Sequence, residues 1–498
     1  MDSHGKMLTM PPPRFNMAAH VLAQAGVRAT HPALIVPGDR TWTYGALEQA
    51  VRGTATGLLD RASPGEHVLM RLGNTPDFPI TYLACITAGL IPVPTSSQLT
   101  PSEVTKMAHE LTPALVVQAQ GVAAAEGDWP VMPASDLIVL RDLPQADYAM
   151  GDPNRPAYIV YTSGTSGRAR AVVHAHRAIW ARRMMWDGWY GLTPDDRLLH
   201  AGAFNWTYTL GTGLMDPWSV GATAIIPPDG TDAATLPALM REQSATIFAA
   251  APGVYRRILR QHMIPVPTLR HGLSAGEKLP DTLRALWENQ TGTPIHEAFG
   301  MSEISTFISG SPARPAPPGT LGFAQPGRKI ALLGPDGPVD HGQIAVHRSD
   351  TGLMLGYLGQ PEETAARYDG DWFLTGDEGT RHPSGAISYA GRADDMMNAG
   401  GTRVSPIEVE SVLSTHPAIT DVACAEVRLS PELSLIAAFY TAQDMLDEPE
   451  LTTFATIHLA AYKVPRVFVH RDALPRGANN KLLRRHLRTE WEAAHGQS

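Results

Sequence analysis

Short apolar runs alternating with amphipathic helical stretches restrict the fold of this chain more than any other feature. AYIVY (157–161), ATAIIP (222–227) and ATIFAAAP (245–252) read as short buried strands. TYGALEQAVRGTATGLLDRA (43–62) carries apolar residues at helical spacing and reads as an amphipathic helix. The alternation continues through most of the first 390 residues and predicts an α/β architecture with mostly parallel sheets. No internal repeat of fixed period interrupts it. With 498 residues, of which 43% are apolar, the chain is long enough for two or more domains with real cores.

Charge and cysteine content exclude several classes. Forty basic against 49 acidic side chains give a net charge of −9, and the one basic cluster is Arg484, Arg485 and Arg488. A nucleic-acid partner is therefore not expected. The two cysteines, Cys85 and Cys424, lie far apart in sequence and outside any CxxC pattern, which argues against a disulfide framework or a zinc site and for a reducing cytoplasm. TYLACITAGLIPVP (81–94) is too short to span a membrane and is broken by Gly89 and Pro92. The first residues, MDSHGKMLTMPPPRF, lack the apolar core of a signal peptide. A cytoplasmic protein without a membrane partner is expected, and a homodimer is left open.

The texture changes past residue 370, and a Pro- and Gly-rich stretch precedes that change. SGSPARPAPPGT (309–320) reads as a surface loop or a linker between subdomains. DWFLTGDEG and AISYAGR read as two strands joined by a turn at 383–385. Ser405, Pro406 and Glu408 have the spacing of an N-cap, a first helical residue and the acid of a capping box. A smaller unit is expected to begin near Asp394, dividing the chain into residues 1–393 and 394–498.

YTSGTSGRARA (161–171) follows one strand candidate and leads into another at 171–173. Glycines permit positive φ, so that successive N–H groups can turn toward an anion, and hydroxyls and arginines add donors and charge. The spacing fits neither GxxxxGK[ST] nor GxGxxG, so the loop alone is a weak signal. It gains weight from SAGEKLP (274–280), FGMSE (299–303), FLTGD (373–377), YAGRADD (389–395) and NNKLLRR (479–485), which occur in this order. GLMLGYLGQPEETAARYDGDWFLTGD (352–377) and AYKVPRVFVHRDALPR (461–476) extend the pattern.

Together these segments resemble the adenylate-forming superfamily of acyl-CoA synthetases, luciferases and peptide-synthetase adenylation domains, over nearly the whole chain. VVHAH, SVGAT and SAGE are closest in wording to aryl- and small-acyl-CoA ligases of the benzoate-CoA ligase type. The resemblance implies a large N-terminal domain of mostly parallel sheets with helices, a β-barrel-like subdomain, and a small mobile α+β C-terminal domain hinged at Asp394. It also implies roles. Thr162, Ser163, Gly164, Thr165, Ser166 and Gly167 would wrap the ATP phosphates. Gly276, Glu277 and Lys278 would lie along the adenine, with Phe299 stacked on it. Ser302 stands where threonine usually bonds the α-phosphate, and Glu303 matches the Mg²⁺ ligand. Asp377 matches the acid holding the ribose hydroxyls, and Arg392 also points to the ribose. Lys481 matches the lysine that bridges substrate carboxylate and phosphate. Gly400, Gly401 and Arg403 fall on the coenzyme A side. Trp206, Tyr208, Ile304 and Phe307 are the candidates for the acyl pocket, whose bulky aromatics favour a small aromatic or short-chain acid.

Two departures bear on the reading. Where the family loop ends in Pro-Lys-Gly, this chain has Ala169, Arg170 and Ala171; Arg170 keeps the charge and can grip two phosphate oxygens. Asn480 replaces the glycine before Lys481, and asparagine tolerates left-handed backbone better than most residues. His176 is expected to be a structural imidazole. The reaction implied is acid–CoA ligation through an acyl-adenylate, with ATP, Mg²⁺, coenzyme A and a small carboxylic acid. The rival readings are an adenylation enzyme that loads a carrier protein and a non-catalytic nucleotide-binding regulator.

Overall fold

The structure, a computed structural model, describes residues 10–162, 169–228, 230–261, 263–393, 395–399, 402–430, 433–459, 461–477 and 482–495. These divide into two compact units, 1–329 with 348–368, and 330–347 with 369–498.

The first unit is built on parallel sheets, as the alternating pattern predicts. Strands Ile295–Met301, His271–Ala275, Ile247–Ala250, Arg197–His200, Thr223–Ile225 and Pro32–Ile35 lie side by side and all parallel. Antiparallel strands close both edges: Ser305–Ser309 and Phe323–Ala324 on one side, Trp42–Thr43 on the other. Both faces are buried. Along Ile247–Ala250, Phe248 and Ala250 face a cluster containing Tyr255, Ile258 and Trp287, while Ile247 and Ala249 face one containing Trp189, Tyr190 and Leu273. This period-2 alternation between two dry layers is why such strands read as continuous apolar runs. A second parallel sheet pairs Ile91–Pro94, His67–Arg71, Leu115–Gln118 and Val131–Pro133.

The amphipathic stretch at 43–62 forms helix Tyr44–Leu59, with Thr43 capping it through Ala46 N. The apolar segment at 81–94 splits at Gly89, which has φ +79, into helix Asp77–Ala88 and strand Ile91–Pro94. Cys85 is buried in that helix, and among the described residues no helix is long and apolar enough to cross a membrane. The strand read at 157–161 lies in neither parallel sheet. It is part of Pro156–Thr162, which runs antiparallel to Arg170–Ala175, and that strand in turn pairs with Gly356–Tyr357. Periodicity gives a strand's existence but not the direction of its neighbour. Segment 309–320 joins Ser305–Ser309 to Phe323–Ala324 within the same unit.

In the second unit, an antiparallel sheet places Ile330–Gly334 beside His341–His347, and His341–His347 beside Trp372–Arg381, which pairs with Ile387–Arg392. The last two are the strands expected around 383–385, where Gly385 turns the chain with φ +83. Further on, Asp421–Ser430 and Leu433–Thr441 form a long hairpin that Val467–His470 joins in parallel. Helices Pro406–Leu413 and Glu448–His458 pack on one face through Val409, Leu413, Leu451 and Ala455; helix Arg484–His495 covers the other through Leu487 and Trp491. Ser405 caps its helix as expected, accepting from Glu408 N at 3.3 Å. The capping box is not completed, because the Glu408 carboxylate pairs instead with Lys463.

Candidate active site

In open parallel sheets, functional groups collect beyond the carboxyl ends of the strands, where loops are free of sheet hydrogen bonding. Three of the expected segments fall there. Gly276, Glu277 and Lys278 follow His271–Ala275, Ser302 and Glu303 follow the neighbouring Ile295–Met301, and Trp206 and Tyr208 follow Arg197–His200.

The Ser302/Glu303 turn is held from several sides. Glu303 is 7% exposed, and its Oε1 accepts the Tyr357 hydroxyl at 2.7 Å. Its carbonyl accepts Met354 N at 2.8 Å. The Ser302 carbonyl faces His174 Nε2 at 2.7 Å. Ser305, at φ +75, meets the guanidinium of Arg182 with its hydroxyl. Among the described residues, Ser302 Oγ and Glu303 Oε2 have no hydrogen-bond or ionic partner. The turn thus presents one hydroxyl and one carboxylate oxygen, and carboxylate is a hard donor suited to Mg²⁺.

Arg170 begins the strand that also carries His174, four residues on and on the same face. Its Nε lies 2.9 Å from Glu363 Oε2, and its guanidinium carbon lies 5.2 Å from the centre of the Tyr357 ring. Arg170, Tyr357 and Glu303 are therefore consecutive contacts. Thr162 is the backbone partner of Arg170, and residues 163–167 lie outside the described residues.

The acyl-pocket candidates are packed together in part. Trp206 and Tyr208 make a T-shaped pair at 5.1 Å, and Tyr208 stands edge-on to His200 at 4.4 Å. Gly276, at φ +95, lies under Trp206: a Cβ there would be 3.2 Å from Trp206 Cζ2. Ile304 and Phe307 are fully buried, and Phe299, half-buried, meets Phe307 edge-on at 5.3 Å. Behind them, Arg182 makes a bidentate pair with Asp216, joined by Tyr190. Burial opposes the charge on Arg182, but the Asp216 carboxylate keeps the guanidinium above its ordinary pKa. Gly211 makes room for this pair, since a Cβ would lie 2.3 Å from Arg182 Nη2. The stretches Trp186–Tyr190 and Thr209–Met215 that flank it are wound as π-helices, a form often associated with functional sites.

In the second unit, Asp377 is 5% exposed, with Oδ1 accepting the Tyr389 hydroxyl at 2.9 Å and Oδ2 lying 3.3 Å from Arg392 Nη1. The antiparallel register sets Asp377 directly opposite Arg392, so both expected residues share one place. Lys481, Asp394, Gly400 and Gly401, and the side chain of Arg403, lie outside the described residues. His176 is 1% exposed, accepts Met17 N at 3.0 Å, and is held down to a pKa of about 3 by burial, which suits a structural imidazole.

Residue-by-residue reading of the sequence missed His174, Tyr357, Tyr389, the Arg182–Asp216 pair and Glu297. Glu297 is buried, takes Leu279 N at 2.8 Å and Arg284 at 3.0 Å, and so ties down the end of the 276–280 segment. Burial pushes its carboxyl up to about 7. Tyr357 and Tyr389 do stand in segments that carry the resemblance, which is the one local signal that could have flagged them.

A doubly covered parallel sheet with acceptors beyond its strand ends is the layout of an α/β protein that can hold a nucleotide. The chain belongs to the AMP-binding enzyme family: residues 21–358 match that family, and residues 408–481 match the AMP-binding enzyme C-terminal domain. It is 30% identical to the 3-hydroxybenzoate–CoA ligase of Aromatoleum sp. (strain CIB), covering 92% of this chain and 93% of that one. Identity to the benzoate–CoA ligase of Thauera aromatica is 29%, over 96% of each chain. Among solved structures, the anthranilate CoA ligase AuaEII in complex with anthranoyl-AMP superposes with a TM-score of 0.88 at 25% identity, covering 98% of this chain and 99% of that one. A benzoate CoA ligase from Burkholderia xenovorans LB400 superposes with a TM-score of 0.83 at 28% identity, covering 95% and 100%.

Proposed function

We propose that this enzyme is an AMP-forming acid–CoA ligase acting on a small aromatic or short-chain carboxylate. The carboxylate oxygen attacks the α-phosphorus of ATP, giving acyl-adenylate and pyrophosphate. The thiol of coenzyme A then attacks the acyl carbonyl, loses its proton and expels AMP. Activation is needed because a carboxylate has no adequate leaving group, whereas AMP is one.

What supports this most directly is the pair of oxygens, Ser302 Oγ and Glu303 Oε2, that have no partner among the described residues, on a turn whose Ser302 and Glu303 carbonyls and Glu303 Oε1 are engaged. Ser302 bonds the α-phosphate, and Glu303 is the protein ligand for Mg²⁺, which when bound neutralises phosphate charge. The 162–167 loop and Arg170 hold the β- and γ-phosphates. Gly276, Glu277, Lys278 and Phe299 serve the adenine, and Asp377 and Arg392 the ribose. Lys481 stabilises the negative charge that develops as the adenylate forms. Gly400, Gly401 and Arg403 serve coenzyme A, and Asp394 is the hinge ahead of a C-terminal domain at 394–498. Trp206, Tyr208, Ile304 and Phe307 line the acyl pocket. Three relatives act on benzoate or its hydroxy or amino derivatives by name, which favours an aryl acid. The reaction is placed in the cytoplasm, where ATP and coenzyme A are supplied.

The test is to incubate the protein with ATP, Mg²⁺ and a panel of carboxylates, with and without coenzyme A. AMP and acyl-CoA from a small aryl acid are the expected products. Pyrophosphate exchange without thioester would favour the carrier-loading reading, and ATP binding with neither product would favour the regulator.

A further inference from the structure

We propose that His174 is a positioning residue for adenylate formation, holding the Ser302/Glu303 peptide in the orientation that presents Ser302 Oγ and Glu303 Oε2. The inference rests on the roles proposed for those two residues.

His174 is 3% exposed, on strand Arg170–Ala175, and its ring stacks on Tyr158 with centroids 4.8 Å apart and planes 17° apart. Only an N–H can bond to a carbonyl, so the 2.7 Å contact with the Ser302 carbonyl makes Nε2 the donor. Nδ1 is buried and without a hydrogen-bond partner among the described residues. The imidazole thus serves the turn with one nitrogen, and the stack on Tyr158 fixes the plane in which that N–H points.

Other contacts hold the Glu303 end of the turn, but among the described residues the Ser302 carbonyl is met by His174 alone. Ser302 lies beyond the end of strand Ile295–Met301, and the pairing of that strand with Ser305–Ser309 shifts register between Phe299 and Gly300. The Ser302 carbonyl therefore sits past the regular ladder and depends on a side chain for its bond. The peptide whose carbonyl His174 fixes is the one linking Ser302 to Glu303. Rotating that peptide would move both the hydroxyl and the carboxylate at once. The link also spans 128 residues of sequence and ties the strand that leaves the phosphate loop to the turn that presents the acceptors. A displacement near 1 Å in such a site is enough to cost a large factor in rate, and loss of a supporting hydrogen bond to a site group typically costs about 10–100-fold.

The experiment compares His174→Leu, which removes the donor, with His174→Gln, whose amide nitrogen reaches the place of Nε2. Two half-reactions are followed: pyrophosphate exchange with benzoate and ATP, and thioester formation from supplied benzoyl-AMP and coenzyme A. Expected for H174L is a fall in kcat for exchange of about 10–100-fold with the thioester step within about twofold, and for H174Q recovery of most of the exchange rate. Unchanged exchange in folded H174L would overturn the proposal, as would equal loss in both half-reactions. Should H174L fail to fold, H174Q decides alone: a tenfold or greater loss of exchange with a wild-type melting curve overturns the role, and near-wild-type exchange supports it. Absence of both half-reactions in the wild type across the carboxylate panel would instead sink the ligase reading, and so separates the two failures.

Discussion

At the scale of single residues, the replacement of lysine by Arg170 has a consequence that the sequence alone did not suggest. The guanidinium is already engaged, with Glu363 at 2.9 Å and with the face of Tyr357. A phosphate approaching the Nε edge of the guanidinium would compete with that carboxylate. Side-chain exposures of 24% for Arg170 and 46% for Glu363 mean water screens the pair, which is worth roughly 0.2–1 kcal/mol. Glu363→Gln should therefore lower the KM for ATP by about 1.5–5-fold, the factor corresponding to that energy, with kcat little changed. Arg170→Ala should raise the same KM. Pyrophosphate release measured against ATP concentration reads both. An unaltered KM in E363Q alongside a raised one in R170A would show that Glu363 does not compete with the nucleotide.

At the scale of elements, much of the fold was legible because it is local. Strands at 157–161, 222–227 and 245–252 and the helix at 43–62 all form, since alternation and amphipathic spacing act within one segment. Ser405 caps as read, because a cap needs only the next turn of backbone. What failed or was missed depends on distant partners. Glu408 leaves its capping role for Lys463, 55 residues away, and Tyr357 reaches Glu303 across 54. Such meetings follow from sheet order, which spacing does not encode. The motifs point to Ser302, Glu303, Asp377 and Arg392 as candidates because resemblance carries position, but they do not point to the residues that hold those side chains. The loop after His271–Ala275 offers a test at this scale. Gly276 needs positive φ, which disfavours a side chain by about 1–2 kcal/mol, and Trp206 leaves a Cβ only 3.2 Å. Gly276→Ala should lower stability by about that amount and push Trp206 aside, raising the KM for the aryl acid as well as for ATP. Thermal unfolding and the two KM values check it; an acid KM at the wild-type value would show that Trp206 does not border the acyl site.

At the scale of the whole molecule, the first unit is expected to be acid-labile because of how many neutral imidazoles it buries. Burial, the largest cause in each, holds His20 and His271 near pKa 4 and His176, His200 and His296 near 3. An unfolded histidine titrates near 6.5. Between these values the unfolded chain binds protons that the folded chain refuses. Their stabilisation is therefore complete above pH 6.5 and lost as pH falls toward 4, at about 1.4 kcal/mol per histidine per pH unit. Glu297 acts in the opposite sense: raised to about 7, it favours the folded state below its ordinary value of 4.5 and loses that contribution as pH rises through 7. One carboxyl cannot offset five imidazoles, so the net slope follows the histidines. Eight of the ten tryptophans lie in this unit, so their fluorescence reports its unfolding. The urea midpoint should drop steeply between pH 7 and 5, and unfolding at pH 5.5 should take up several protons, measurable calorimetrically in buffers of different ionisation enthalpy. A midpoint that stays level over that range would mean that water or rearrangement already solvates these rings, and would remove the argument that the unit folds around uncharged imidazole.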